Sequence, residues 1–351
     1  MYCTSIYKAR RVLCIEKVLQ SVVYHIASES IADIGAIRYT IVFGHFERWY
    51  PVERMSCESQ YKPCYTFPMF YNVAAPLIHY RFSSLDPHES VVQHAIFTRH
   101  GGVSKEPFNT LNFRYGIGDP DVAVTQNRHI AQGFFEGTFL GGKRTTMISA
   151  NQTHSDHIMI LRADEKLPET VMRAPHEVDD VDAFVTDRRD ITLLIQVADC
   201  QPVLLFDPGN ATQQLVPGGA TRGHRPVLGV VHSGWRGSVQ NIIGKTVARM
   251  RDEFGAEPSR LLVGVGPSIG TCCNYFTDPA NELPKEFHPY ILPDKRVDFL
   301  RATQDQLMHE GVREEHIEFS GICSCDTTSD FFSYRRENRL TGRFGLVAGL
   351  V

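Results

Sequence analysis

The sequence predicts an α+β domain built on mixed β-sheets. Two observations carry that expectation. Short apolar runs of strand length outnumber the stretches with helical spacing. Strands and helices also fail to alternate strictly along the chain, which argues against a doubly wound parallel sheet. Punctuation by Gly and Pro becomes dense only from about His94, so residues 1–75 are read as an N-terminal extension of unknown role and 76–351 as the main domain.

The elements follow in order. In the extension, 18–26 reads as one amphipathic helix and 37–43 as one strand, with no chemical motif. The extension is expected to be poorly ordered or to lie upstream of a true start, with Met69 as a possible internal one. A strand at 94–98 precedes Arg99-His-Gly-Gly-Val-Ser104, where two glycines make a tight turn that lets backbone amides approach a ligand. Asp119-Pro120 opens a helix that runs to about Phe135. A strand at 145–150 leads to His154, and 157–161 reads as its continuation. After a polar stretch to Asp182 comes the strand 183–186, then the run 191–197 that leads to Cys200. The Cys200 strand is expected to continue past Pro202 through 203–206. Residues 209–226 form a surface loop, and 227–231 is a strand ending at His232. Ser238 is the expected N-cap of a helix whose core face is Val239, Ile242, Ile243, Val247 and Met250, with Gly255 as its C-cap. A strand at 261–267 leads to Cys272-Cys273, a helix covers about 298–310, and 318–320 and 344–350 are closing strands.

Composition narrows the function. Hydrophobic residues make up 42% and charged residues 22% of 351, the profile of a globular chain. A net charge of −4 excludes a general nucleic-acid footprint. No uncharged run reaches membrane-spanning length. Lys8, Arg10 and Arg11 are followed by Glu16 and Lys17, so a signal-peptide core is missing. Nine cysteines without regular spacing do not form a disulfide framework, and a reducing cytoplasm is the expected compartment.

The chemistry concentrates in three places. His154, Cys200 and His232 each sit in an apolar, strand-like context that ends in small and charged residues. Two imidazoles and one thiolate leave a fourth coordination position open, the mark of a catalytic zinc site. Singly, each residue reads as a satisfied histidine or a small buried hydrophobe. The neighbouring polar groups Gln152, Asp199 and Arg236 raise the case for a site, because polar groups clustered after apolar strands are costly unless used. A metal-free Cys–His hydrolase, with Cys200 as nucleophile and His232 or His154 as base, uses the same three residues. A non-enzymatic binding module is the bland alternative.

Arg99-His-Gly-Gly-Val-Ser104, Thr110-Leu-Asn112, Asn127-Arg128, Ala198-Asp-Cys200, His232-Ser-Gly-Trp-Arg-Gly237, Gly266-Pro267, Cys272-Cys273 and Phe331-Phe-Ser-Tyr-Arg-Arg336 resemble, in order, the signature blocks of the YfiH-like family. That family is also called the multicopper polyphenol oxidoreductase or laccase-domain family. Its better-characterised members are purine nucleoside phosphorylases with adenosine deaminase side activity. The resemblance covers about residues 80–351. It implies one domain in α/β/β/α layers and His154, Cys200 and His232 as zinc-binding positions. The chain departs from the pattern at Gln201, where the family usually has Leu, and at Ser233, where it usually has Ala.

Read as a phosphorylase, the chain takes purine nucleosides and phosphate as partners and Zn(2+) as cofactor, with Cu(2+) as the alternative ion. Arg99 and Arg236 are the expected phosphate clamp. Asp199 is the expected proton shuttle for deamination, against a plain structural reading in which it fixes a strand end. Asn112, Gln152 and Trp235 are the expected substrate contacts, Trp235 by stacking on the base, a role for which Phe331, Phe332 and Tyr334 also qualify. Arg335 and Arg336 are expected to fix a closing strand. A copper-dependent polyphenol oxidase remains as a further alternative. A His2Cys set suits blue copper, yet multicopper chemistry needs His-x-His pairs and this chain has none.

Overall fold

The computed structural model describes residues 77–172, 175–209, 224–327 and 329–351, together with the backbones of strands at 41–42, 45–48 and 69–74. In chain order the strands are β1 (Ile41–Val42), β2 (His45–Arg48), β3 (Met69–Ala74), β4 (Leu77–Phe82), β5 (Val92–Phe97), β6 (Thr146–Asn151), β7 (Ile158–Leu161), β8 (Glu177–Asp179), β9 (Ala183–Thr186), β10 (Ile191–Val197), β11 (Gln201–Asp207), β12 (Val227–Ser233), β13 (Leu262–Val265), β14 (Ile317–Phe319) and β15 (Phe344–Leu350). The α-helices are α1 (Asp121–Phe139), α2 (Glu169–Met172), α3 (Trp235–Val239), α4 (Ile242–Phe254), α5 (Pro279–Glu282) and α6 (Phe299–His309).

One sheet has the order β1-β2-β3-β4-β5-β15-β10-β6-β8 and the other β14-β13-β11-β12-β9-β7. Both are mixed. β10 pairs antiparallel with β15 and parallel with β6, while β11–β12 is antiparallel and β13–β14 parallel. Alternation along the strands explains the layers. In β10, Leu193 and Ile195 face the second sheet, where they meet Leu204 and Phe206 of β11 and Leu228 and Val230 of β12. The opposite face of the first sheet, including Ala95, Phe97, Leu194 and Val347, packs on Ala131 and Phe135 of α1. Val203, Leu205 and Val231 of the second sheet pack on Ile243, Val247 and Met250 of α4 and Leu307 of α6. The result is helix, sheet, sheet, helix. Every residue of β10, β11, β12 and β15 is buried, which is why these strands read as continuous apolar runs.

Four local expectations are corrected. The runs 191–197 and 203–206 belong to different sheets, and the chain crosses between them at Ala198–Cys200. Likewise 157–161 does not continue the strand before His154: β6 lies in the first sheet and β7 in the second. Asp199 and His154 sit at these crossings with φ of 87° and 66°. That left-handed conformation reverses the chain abruptly and is uncommon for residues with a side chain. Ser238 is not an N-cap, because it lies inside α3. Asn241 caps α4 instead, its side chain accepting from Gly244 N, and Gly255 closes that helix at φ 74°. α1 runs one turn past Phe135, to Phe139.

The helix expected at 18–26 lies outside the described residues. Within the stretch read as an extension, β2 pairs with β3, and β3 pairs with β4 along its whole length. These strands therefore continue the first sheet.

Candidate active site

The three ligand-type residues converge. One donor atom from each of His154, Cys200 and His232 lies within 4.8 Å of the others. Cys200 Sγ is 3.5 Å from His154 Nε2, and the two imidazoles meet edge to face with centroids 4.8 Å apart. The two sheet crossings deliver His154 and Cys200, and the end of β12 delivers His232. Gly234 makes room for them. A Cβ there would sit 2.5 Å from His154 Cδ2 and 3.0 Å from Cys200 Sγ.

Asp182, fully buried and directly before β9, organises both histidines. Its Oδ1 lies 2.6 Å from His232 Nδ1 and accepts from His154 N at 3.1 Å. Its Oδ2 accepts from Ser155 N and Ser155 Oγ, each at 2.8 Å, and from Thr153 N at 3.1 Å. The Asp182 backbone carbonyl accepts from His232 N at 2.7 Å. Holding Nδ1 of His232 in this way leaves Nε2 for the site, the usual carboxylate–histidine arrangement behind a metal. The charges reinforce one another. Burial alone would raise the Asp182 carboxyl and the Cys200 thiol and lower the His232 imidazole. The partners outweigh it. Cys200, beside the positive His232 and hydrogen-bonded to His154, is pulled down to about 6. His232, between the Cys200 thiolate and Asp182, is raised to about 9. Asp182, hydrogen-bonded to His232 and Ser155, is lowered to about 2. These partners favour a thiolate on Cys200 and a proton on His232 when no metal is bound.

The donor set fits a zinc ion: one thiolate and two imidazoles at coordinating separation, an outer carboxylate fixing one ring, and an open side facing a cavity. That cavity has a volume of about 880 Å³. Its lining includes Gln152, Asp199, Trp235 and Arg236, as the sequence reading places at the site, along with Tyr275, Phe276 and Tyr334. Arg236 is exposed and its guanidinium lies 4.2 Å from the Trp235 ring centroid. Gln152 is locked to the backbone of Gln196 by bonds of 2.8 and 2.9 Å. Asp199 accepts from Ser324 Oγ and from Arg335 N, both at 2.7 Å, so the strand-end anchor reading of this carboxylate describes its contacts. Phe331 and Phe332 are fully buried in the core, whereas Tyr334 is 41% exposed in the cavity. Arg335 also lines the cavity, while its Nη1 donates to the carbonyls of Cys273 and Tyr275. At the two family departures, Gln201 Oε1 accepts from Thr303 Oγ1 and Ser233 shares a hydrogen bond with Ser238.

Two expected residues lie elsewhere. Arg99 is not in the cavity lining. It pairs with Glu337 at 2.7 Å, donates to Asn109, and lies over the Phe332 ring. Asn112 is fully buried, and its amide is spent on the chain itself. Its Oδ1 accepts from Arg114 N and Arg343 N, and its Nδ2 donates to Arg114 O and Asp119 Oδ2. Asn112 thereby ties together the backbones of two arginines that do line the cavity and that sequence reasoning missed. Burial lowers Arg343, and repulsion from Arg114 lowers it further, so two guanidinium groups face the same space. No local pattern marks Arg114 or Arg343 as partners. The one available signal for Asp182 is a carboxylate directly before an apolar strand.

Among the described residues, no helix is long and apolar enough to cross a membrane. The profile of a sequence family described as multi-copper polyphenol oxidoreductase laccase matches residues 93–351. Similar curated proteins include the purine nucleoside phosphorylase ORF3 of Streptomyces griseus, 32% identical over 71% of this chain and 91% of that one. The purine nucleoside phosphorylase YlmD of Bacillus subtilis is 26% identical over 72% of this chain and 86% of its own. Among solved structures, the hypothetical protein YfiH of Bacillus licheniformis superposes with a TM-score of 0.65 at 25% identity, covering 80% of this chain and 99% of that one. YlmD of Geobacillus stearothermophilus, at 24% identity and TM-score 0.62, shares the fold.

Proposed function

The chain belongs to the multi-copper polyphenol oxidoreductase laccase family, and from that premise we propose that it is a zinc-dependent purine nucleoside phosphorylase of the cytoplasm with a slower adenosine deaminase activity. One observation carries the reading. A His2Cys donor set, a group of arginines and a set of aromatic rings share one cavity of nucleoside size.

His154, Cys200 and His232 hold the ion, which when bound supplies a Lewis acid with an open position. Arg114 and Arg343 bind phosphate, since two half-buried guanidinium groups that repel each other are relieved by an anion between them. Arg236 joins them from the exposed rim. Trp235, Phe276 and Tyr334 offer faces for the purine. Asp199, next to Cys200 and oriented by Ser324 and Arg335, is the carboxylate that shuttles a proton in the deamination. Asn112 acts through Arg114 and Arg343, and Arg99 acts through the loop it braces.

The thiolate of Cys200 beside the protonated His232, with His154 Nε2 3.5 Å from the sulfur, also supports a metal-free Cys–His hydrolase. A multicopper oxidase finds less support. Among the described residues, two side-chain groups have metal spacing, and only His154–Cys200–His232 contains histidine. The deciding experiment incubates the purified protein with adenosine, inosine and methylthioadenosine, with and without phosphate, and follows free base and ribose 1-phosphate. Phosphate-dependent base release with ribose 1-phosphate is expected. Base release indifferent to phosphate, or full activity after chelation, overturns the reading in favour of the hydrolase.

A further inference from the structure

A second cluster of metal-ligand residues lies next in sequence to the cavity-lining residues Ile269 and Asn274. β13 and β14 are parallel neighbours, so the loops after them leave the sheet in the same direction. The loops stay together. Ser268 bridges to Cys323, with Ser268 N donating to Ile322 O at 3.3 Å and Ser324 N to Ser268 O at 2.9 Å. This brings Cys272 and Cys273 against Cys323 and Asp326, with one ligand atom of each residue within 4.8 Å of the others. Cys273 Sγ is 3.0 Å from Asp326 Oδ1. Gly270 N donates to Cys323 Sγ at 3.2 Å, the type of backbone bond that supports a thiolate. Gly270 is also where a side chain would crowd the sulfurs, since a Cβ there would be 3.2 Å from Cys272 Sγ and 3.5 Å from Cys323 Sγ.

We propose that Cys272, Cys273, Cys323 and Asp326 form a second, structural zinc site that pins the 269–277 wall of the cavity to the 322–326 loop. The chemistry selects the ion. Three thiolates suit zinc or cuprous copper, and the hard carboxylate in the fourth position favours zinc. Tetrahedral bonds of about 2.0–2.3 Å place ligand atoms roughly 3.3–3.8 Å apart, so no pair in the cluster needs to close by more than about 1.5 Å. Four protein ligands close the site, which makes it structural rather than catalytic. Arg336, which donates to the carbonyls of Ser324 and Cys325, and Arg296 offset the excess negative charge. The pinned segments matter to the cavity. Ile269, Tyr275 and Phe276 line it, and Ser324 holds Asp199.

The test is metal stoichiometry of the full chain, a readout independent of base release. Zinc is measured in the wild type, in Cys200→Ala, in Cys272→Ser/Cys323→Ser, and in the combination. Two equivalents, one, one and none are expected. Because Cys200→Ala leaves the proposed cluster intact, its remaining zinc is examined by X-ray absorption, where several sulfur neighbours at about 2.3 Å are expected. A folded Cys200→Ala chain without zinc, a spectrum with only nitrogen and oxygen neighbours, or an intact mass two hydrogens short, showing a disulfide within the cluster, overturns the proposal.

Discussion

Replacing Gly234 by Ala tests the convergence of the three ligands directly. The backbone there has φ −80° and ψ 175°, a region open to any residue, so the substitution adds no backbone strain. The whole effect is steric. The new Cβ would lie 2.5 Å from His154 Cδ2 and 3.0 Å from Cys200 Sγ. Ordinary carbon contacts are about 3.5–4.0 Å, so the imidazole must retreat by about 1 Å. Zinc bonds tolerate displacements of about 0.2 Å. Losing an outer-shell partner already costs about 10–100-fold in affinity, and displacing two ligands costs more. Zinc binding is therefore expected to weaken by at least about 100-fold, roughly 2.8 kcal/mol. Crowding of this kind costs about 1–3 kcal/mol of stability, so the chain stays folded with a lower melting temperature. Competition against a chelator of known affinity measures the first effect, and thermal unfolding of the metal-free chain the second. A folded Gly234→Ala chain that binds zinc as the wild type does would refute the placement of His154 and Cys200 around one ion.

Asp182→Asn removes the charge behind His232, so zinc affinity should fall about 10–100-fold and the imidazole should titrate closer to its ordinary value in an NMR titration. At pH 7 the metal-free site carries a proton on His232, raised to about 9, and none on Cys200, lowered to about 6. Zinc binding should then release about one proton near neutrality, more below pH 6 as the thiol must also ionise, and fewer above pH 9, as calorimetry in buffers of different ionisation heat can measure. Arg343→Ala should raise the KM for phosphate. Arg99→Ala should leave that KM unchanged and lower stability by about 1–3 kcal/mol, because Glu337 loses one of its two arginine partners and Asn109 its donor. Removing residues 1–75 should leave base release per folded molecule intact while lowering the melting temperature, since β4 loses its hydrogen-bonded neighbour β3.

The sequence by itself determined the fold class, the apolar strands and the three ligand types. Runs buried on both faces and ligands placed at their ends are local patterns, readable without knowing what packs against what. Tertiary structure decided the rest. Two apparent continuations, 191–206 and 145–161, are jumps from one sheet to the other, because apolar runs carry no mark of which sheet they join. Those jumps bring His154 and Cys200 to one point, and the left-handed turns at His154 and Asp199 that permit them have no glycine to announce them. The surroundings of Arg99 and Arg343 were likewise open until the fold was known. Whether a guanidinium meets a carboxylate or an open cavity depends on what the fold packs beside it. Glu337 reaches Arg99, while Asn112 holds Arg343 and Arg114 at the cavity, through contacts between segments far apart in the chain.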